Sequence, residues 1–291
     1  MRSSALLGWG FVAPALCLLL GLNLFPLLFD VYLSFTNADL SGGATAIVGT
    51  KNYSTLFQSV RYSDAITTTA AFVAASVGIE LVLGFGLALA LQGRMPGKAV
   101  VLTILLVPMM LCPVVLSLFW NLILNGHYGV LNQFLGLAGL SEPQWLTDDG
   151  LKFFSILMVD VWMWTPFMTL ISLAGLNAIP RHIYEAAAID RAGRWRVFRR
   201  ITLPMCAPLL GLAVLLRGTD ALKQFDLVMA MTGPNDATTQ TLSAGLYQVV
   251  FREYKVGLGA SYAVVILVMV MAVATIFVRY IDRLQRGQGK V

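Results

Sequence analysis

The chain of 291 residues is 58% hydrophobic and only 12% charged, about half the charged content of an ordinary soluble domain, which excludes a water-soluble globular fold. Its net charge of +5 is too small to argue for a nucleic-acid surface. The composition is that of a chain solvated by a bilayer.

A spanning helix takes about 20 mostly apolar residues, and six such runs follow one another, at residues 6–35, 65–92, 99–125, 153–177, 205–228 and 258–281. The first is about twice as long as a secretory h-region and lacks a clean small-x-small cleavage site, so it is expected to remain as a membrane helix. Residues 36–64 form an outer loop whose Gly, Asn, Tyr and Phe predict a partly folded cap. After the short inner link GRMPGK, the second outer loop, residues 126–152, carries Tyr128, Val130, Leu131, Phe134 and Leu135 at near-helical spacing. That spacing predicts an amphipathic helix at the interface, a depth that also suits Trp145. Residues 229–257 make the third outer loop. Pro14, Pro26, Pro108, Pro113 and Pro166 interrupt spans, which a bilayer tolerates where neighbouring helices or a cavity satisfy the freed carbonyls. Cys17, Cys112 and Cys206 lie in or beside apolar runs and read as small hydrophobes, not as a disulfide framework.

Lys and Arg concentrate on the cytoplasmic side of membrane proteins. With both termini inside, the inner segments hold Arg2; Arg94 and Lys98; Arg181, Arg191, Arg194, Arg196, Arg199 and Arg200; and Arg279, Arg283, Arg286 and Lys290. These are 13 of the 20 basic residues, against five (Lys51, Arg61, Lys152, Arg252 and Lys255) in the outer segments. Both termini are therefore expected in the cytoplasm.

The densest charge falls between the fourth and fifth runs, in EAAAIDRAGRWRVFRRITLPMCAP at residues 185–208. Five arginines at about 2.5–3.5 kcal/mol each do not belong in hydrocarbon, so residues 181–204 are expected to form a cytoplasmic element. Its apolar residues are nevertheless spaced as on a helix: Ala188, Ala192, Trp195, Phe198 and Ile201. A short helix pair ending at Leu203-Pro204, greasy on one side and basic on the other, is a surface for docking. The competing reading is a basic juxtamembrane segment that touches anionic headgroups and sets topology.

The order Glu185, Ala186, Ala187, Asp190, Ile201, Leu203 and Pro204 resembles the EAA loop of permeases in type I binding-protein-dependent ATP-binding cassette (ABC) importers, of the sugar-transporting maltose and glycerol-phosphate kind. APALCLLLGLNLFPLLFDVYLSFTN, VGTKNY, FDLVMAMTGPNDATTQTLS and GLGASYA resemble further stretches of that branch in the same order. The resemblance implies an all-α membrane protein of six transmembrane helices, a single permease domain over residues 1–291, in a bacterial plasma membrane. It also implies that residues 181–204 dock as coupling helices into a cytoplasmic ATPase, with Gly193, Trp195 and Phe198 on the same segment. One position departs from the pattern: the family has Gly six residues after the Glu, where this chain has Arg191, so the bend is expected at Gly193 instead. The implied partners are a second homologous permease, two ABC ATPase subunits that hold ATP and Mg, an extracytoplasmic solute-binding protein and membrane lipid. No cofactor is expected in this chain.

Two fragments imitate ATPase motifs. Leu40 to Gly43 reads LSGG but falls in an outer loop, and the Gly-Lys of GRMPGKA lacks both the spacing and the hydroxyl of a phosphate loop. His127 and His182 are isolated, so no metal site is expected, and no catalytic pair points to an intramembrane enzyme. The fifth run carries Arg217, Asp220, Lys223 and Asp226 at three-residue steps. Intramembrane charges face a cavity or one another, which makes Asp220 and Gln224 candidates for the solute path and pairs Lys223 with Asp226. Trp120, Asn121 and Asn125 in the third run, and Asp160, Trp164 and Thr165 in the fourth, offer the flat apolar faces and placed polar groups that sugars need. The expected function is carbohydrate import by alternating access without catalysis in this chain; the alternative is a self-sufficient secondary transporter or channel.

Overall fold

A backbone in hydrocarbon must satisfy its own N–H and C=O groups, and each apolar run is accordingly helical. The computed structural model describes the backbone of residues 2–93 and 95–288, and the side chains of residues 12–93, 95–279 and 281–283. Of the basic residues counted above, Arg94 and Lys290 lie outside the described residues, as do the side chains of Arg2 and Arg286. The order is α1 (Arg2–Ser34), α2 (Lys51–Gln58), α3 (Val60–Leu91), α4 (Lys98–Met110), α5 (Pro113–Ile123), α6 (Val130–Leu137) and α7 (Asp149–Ala178). It continues with α8 (Arg181–Ile189), α9 (Arg194–Val197), α10 (Leu203–Ala221), α11 (Asp226–Met231), α12 (Leu242–Tyr247) and α13 (Val256–Gln288). Among the described residues, five helical segments are long and apolar enough to cross a membrane, and the bent pair α4–α5, taken as one span, makes a sixth.

Two of the six runs are not single straight helices. The third breaks between Met110 and Pro113 with a bend of 96°, because Pro113 donates no N–H and biases the residue before it away from the helical region; Cys112 is extended at ψ 127°. The fifth stops at Ala221 and resumes at Asp226. The Gln224 carbonyl freed at that break accepts a hydrogen bond from the Thr241 hydroxyl at 2.7 Å, as non-helical backbone at membrane depth requires.

The chain divides into two compact units. The first runs to Ser63 and resumes over Gly245–Met269. In it, Asn52 donates to the carbonyls of Ser34 and Thr36 at 2.9 and 2.7 Å, and the Gly257 N–H donates to Ala38 O at 2.9 Å, so the loop after α1 is folded, as its composition predicts. Tyr62 and Tyr262 meet edge to face at 5.0 Å between ring centroids.

The second unit, Asp64–Ala244 with Val270–Val291, is built on α3, α7 and α10. Helix α7 starts at Asp148, whose carboxylate caps Gly150 N at 2.8 Å, and it buries Ile156, Val159, Met163, Met168, Leu173 and Leu176. At Gly84 of α3 a Cβ would lie 2.5 Å from Met168 Cβ and 2.9 Å from Thr169 N; only glycine permits so close an approach of two spans. The amphipathic helix expected in the second outer loop is α6, and Trp145 donates its indole N–H to Asn132 Oδ1 at 2.8 Å beside it.

Between α8 and α9 the bend falls on Arg191, not on Gly193. Arg191 has φ +52°, whereas Gly193 is extended at φ −62°, ψ 148°. The Ala192 N–H reaches Ala187 O at 2.9 Å and the Arg191 N–H reaches Ala188 O at 3.1 Å, the paired bonds of a Schellman ending whose left-handed residue usually is glycine. Hydrogen bonding imposes the geometry and the side chain endures it, at a cost of about 1–2 kcal/mol. Nor does the second helix stop at Leu203-Pro204: α9 continues through a π-turn at Phe198–Thr202 into α10, and the π-turn lies in the turn before Pro204, where a proline, lacking an N–H, interrupts the regular helical bonding. Arg191→Gly is predicted to raise hydrogen-exchange protection of the Ala192 amide and stabilise the turn by about 0.5–1 kcal/mol; lowered protection in that variant would contradict the assignment.

Candidate functional site

The EAA-like segment has a fixed side and an open side. On the fixed side Ala187 is buried, the Tyr184 hydroxyl shares a hydrogen bond with Thr202 at 3.2 Å, and Phe198 lies 6.1 Å from Phe85 between ring centroids. Ile183, Tyr184 and Phe198 pack on a core of Phe85, Ala88, Leu173, Leu176, Ile179, Cys206 and Leu210, which draws on α3, α7 and α10. On the open side Glu185, Ala186, Ala188 and Asp190 are exposed, Ile189 is 82% exposed and Trp195 is 71% exposed. Trp195 stacks on Phe198 at 5.4 Å, so a rigid aromatic projects from an anchored base. Ile201 is half-buried and Leu203 and Pro204 are exposed. Because the helix is interrupted at Asp190–Gly193, the residues from Ala188 to Ile201 do not form one continuous stripe. They divide between the anchor and the open face.

One core layer away, three spans meet at charge. Arg217 on α10 is 2% exposed, and Glu80 on α3 and Asp160 on α7 are fully buried. Arg217 Nε donates to Glu80 Oε2 at 3.0 Å and its Nη2 to Glu80 Oε1 at 3.1 Å, a bidentate fork; Nη2 also donates to Asp160 Oδ2. Asp160 Oδ1 accepts from Gln224 at 3.2 Å, and Trp164 covers the guanidinium carbon at 4.9 Å from its ring centroid. Asp220 is 3.5 Å from Arg217 Nη1 with its side chain half exposed. Val77, Met168, Ala213 and Ala221 pack together in the same region; Val77 is within one turn of Glu80, and Ala213 and Ala221 each one turn from Arg217. Apolar flanks shut water out and make each charge depend on its partners.

The structure therefore assembles Asp160, Trp164, Asp220 and Gln224 around Arg217. Lys223 lies 4.0 Å from Asp220, so the pairing with Asp226 is replaced by one with Asp220; the unwinding after Ala221 places Asp226 in the first turn of a new helix. Asn121 is drawn elsewhere, donating to the carbonyls of Ala230 and Met231 at 3.1 and 3.2 Å. Asn125 accepts from the N–H groups of His127 and Tyr128, and Thr165 donates to Val161 O at 2.6 Å. Trp120 packs edge-on to Trp162 at 5.4 Å, with its indole N–H buried and unpartnered. Glu80 was missed by sequence reasoning. The signal was present: a lone acid in the middle of an otherwise uncharged apolar run demands a partner on another span.

Arg217→Met would leave the Glu80 and Asp160 carboxylates buried without a cation, and is predicted to cost about 3–5 kcal/mol, read as a lower melting temperature of the detergent-purified protein. Adding Glu80→Gln and Asp160→Asn removes the orphaned charges and should recover most of the loss. A triple variant no more stable than the single one would show that the cluster is not held by charge.

Comparison with known proteins agrees with this architecture. A family described as binding-protein-dependent transport system inner membrane component matches residues 80–287. The trehalose/maltose transport system permease protein MalF of Thermococcus litoralis is 33% identical over 277 residues, covering 94% of this chain and 93% of that protein. The trehalose transport system permease protein SugA of Mycobacterium tuberculosis is 33% identical over 274 residues, covering 94% and 88%. The sulfoquinovosyl glycerol transport system permease protein SmoG of Agrobacterium fabrum is 32% identical over 272 residues, covering 93% and 88%. Among solved structures, a chain of a bacterial ABC transporter that imports the acidic polysaccharide alginate superposes with a TM-score of 0.84 at 20% identity, over 97% of this chain and 96% of that one, which shows a shared fold. This chain belongs to the family of inner membrane components of binding-protein-dependent transport systems.

Proposed function

We propose that this chain is the permease subunit through which a carbohydrate-like solute (a sugar, polyol, glycoside or sugar acid) enters the cell by alternating access, driven by ATP that separate subunits hydrolyse. The observation that carries the reading is the two-sided EAA segment. Its open face, with Glu185, Ile189 and Trp195, is free to dock on an ATPase, while Tyr184, Ala187 and Phe198 tie it to α3, α7 and α10. Those are also the spans joined at Arg217, so a displacement of α8 has a packed route to the membrane core. The whole chain acts as one permease domain, with both termini cytoplasmic and its outer loops facing a solute-binding protein. A second homologous permease and two ABC ATPases, holding ATP and Mg, complete the assembly. The carbohydrate class is supported by relatives named for trehalose, maltose and sulfoquinovosyl glycerol transport.

Two experiments test this. Gentle solubilisation of native membranes and mass spectrometry of what co-purifies should find an ATP-binding subunit and a second six-helix protein; a chain that purifies alone contradicts the reading. Glu185→Lys, on an exposed helical face, is predicted to change folding stability by less than about 0.5 kcal/mol. It should insert normally while uncoupling ATP hydrolysis from uptake, and wild-type coupled uptake in that variant would overturn the docking role.

A further inference from the structure

We propose that the first unit holds a binding site for a small polyhydroxy carboxylate, a sugar acid of one ring, in the cavity that Lys51, Asp39 and Lys255 line. The cavity is about 370 Å³, with Asn37, Asn52 and Thr55 also on its wall, and it lies entirely within the first unit. That volume is at the lower end of small-ligand pockets, which run from about 300 to 1,000 Å³. Its walls are fixed by hydrogen bonds. The Asn37 N–H donates to Ala46 O at 3.0 Å and the Val48 N–H to Phe35 O at 2.8 Å, while Asn37 Oδ1 accepts from the Ala46 N–H at 2.6 Å. On the facing segment Tyr254 takes φ +61°, a left-handed conformation that is costly for a residue with a side chain. Its carbonyl accepts from the Leu40 and Val256 N–H groups at 3.0 and 3.1 Å. Such strain persists where the surroundings fix it, and ligand clamps are among those places. Here the strained turn carries Lys255 to the cavity wall.

The ligand class follows from which groups on the wall are already bonded. Lys255 pairs with Glu253 at 3.0 Å, whereas Lys51 forms no ion pair and no side-chain hydrogen bond among the described residues. One unanswered cation calls for one anionic group. Asp39 accepts from the Ser41 N–H at 2.7 Å, and the side-chain and backbone hydrogen bonds from Ser41 hold its carboxyl below the usual carboxylate range, so the wall also carries a negative charge. Asn52 commits its amide N–H groups to the Ser34 and Thr36 carbonyls, which leaves its Oδ1 as an acceptor without a partner among the described residues. Carboxylate and amide oxygens of this kind are answered by hydroxyl donors. The Asn37 amide N–H groups and the Thr55 hydroxyl remain to donate to ligand oxygens. An inorganic anion would bring Asp39 and Asn52 no hydroxyl, and a neutral sugar would leave Lys51 unanswered. A carboxylate side chain of another protein likewise brings no hydroxyl. A carboxylate on a hydroxylated ring answers every one of these groups. The site's place on the outer side rests on the orientation proposed above; binding itself does not depend on transport.

The test uses the full chain with its co-purifying subunits in nanodiscs, titrated with glucuronate, glucose and acetate and followed by saturation-transfer NMR. Wild type should bind glucuronate about tenfold more tightly than either glucose or acetate, the effect of one hydrogen bond to a charged group. Lys51→Met, at an exposed position with no partner to lose, should cut glucuronate affinity about tenfold, and Lys51→Arg should restore it. Glucuronate bound no more tightly than glucose would overturn the inference. So would a Lys51→Met variant of wild-type affinity, because the ligand would then sit elsewhere in the assembly. Acetate bound as tightly as glucuronate would also overturn it, since the cavity would then suit a lone carboxylate such as a partner protein's side chain. ATP-driven uptake of a neutral sugar by Lys51→Met leaves the importer reading intact whatever glucuronate does, and absence of uptake by the wild-type complex leaves the binding result standing, so the two ideas fail separately.

Discussion

Burying an ion in hydrocarbon is the costliest thing this sequence does, and the second unit is arranged around making that cost bearable. Arg217 is placed where α3, α7 and α10 converge, with Glu80 and Asp160 each buried against it. Loss of the guanidinium would leave two carboxylates buried without a cation, the costly way to break a buried ion pair. Such a cluster is poor evidence for raw stability, because well-packed apolar residues often do as well. What it favours is one register, since sliding any of the three helices by a turn would separate Arg217 from Glu80 or Asp160.

Register matters because the same helices carry the anchor of the exposed EAA segment. Phe85 is five residues from Glu80 on α3, and Leu210 seven residues from Arg217 on α10; both belong to the core on which Tyr184 and Phe198 pack. Close approach of α3 and α7 at Gly84 lies between the two layers. A densely packed interior transmits strain, and these shared helices give α8 a packed route toward the charged layer. The exposed Trp195 and Ile189 fit the docking role proposed above, whereas Ala187 beside them is buried in the chain itself.

The six apolar runs, the folded loop after α1 and α6 were readable because hydropathy and local spacing decide them. The EAA-like order was readable because it is a contiguous motif. Four features were not. The break at Leu111–Cys112 depends on how prolines act when a span has room to bend, and the sequence marks only the prolines. The left-handed residue at Arg191 is chosen by the pair of hydrogen bonds closing α8, which overrides the intrinsic preference that pointed to Gly193. Lys223 turned to Asp220 because α10 unwinds before Asp226. Glu80 and Arg217 are 137 residues apart, and no local pattern announces that they meet; the isolation of Glu80 in an apolar run announces only that it must meet something.

The central claim is that this subunit moves solute only as part of an ATP-driven assembly. The most direct measurement is uptake into proteoliposomes that contain either this chain alone or the complete co-purified complex, each assayed with internal ATP and, separately, under an imposed ion gradient without ATP. The account predicts uptake only by the complex, only with ATP, and only when the solute-binding protein is supplied outside. Uptake by the chain alone under an ion gradient would contradict it, and would identify the charged layer at Arg217 as part of a self-sufficient carrier.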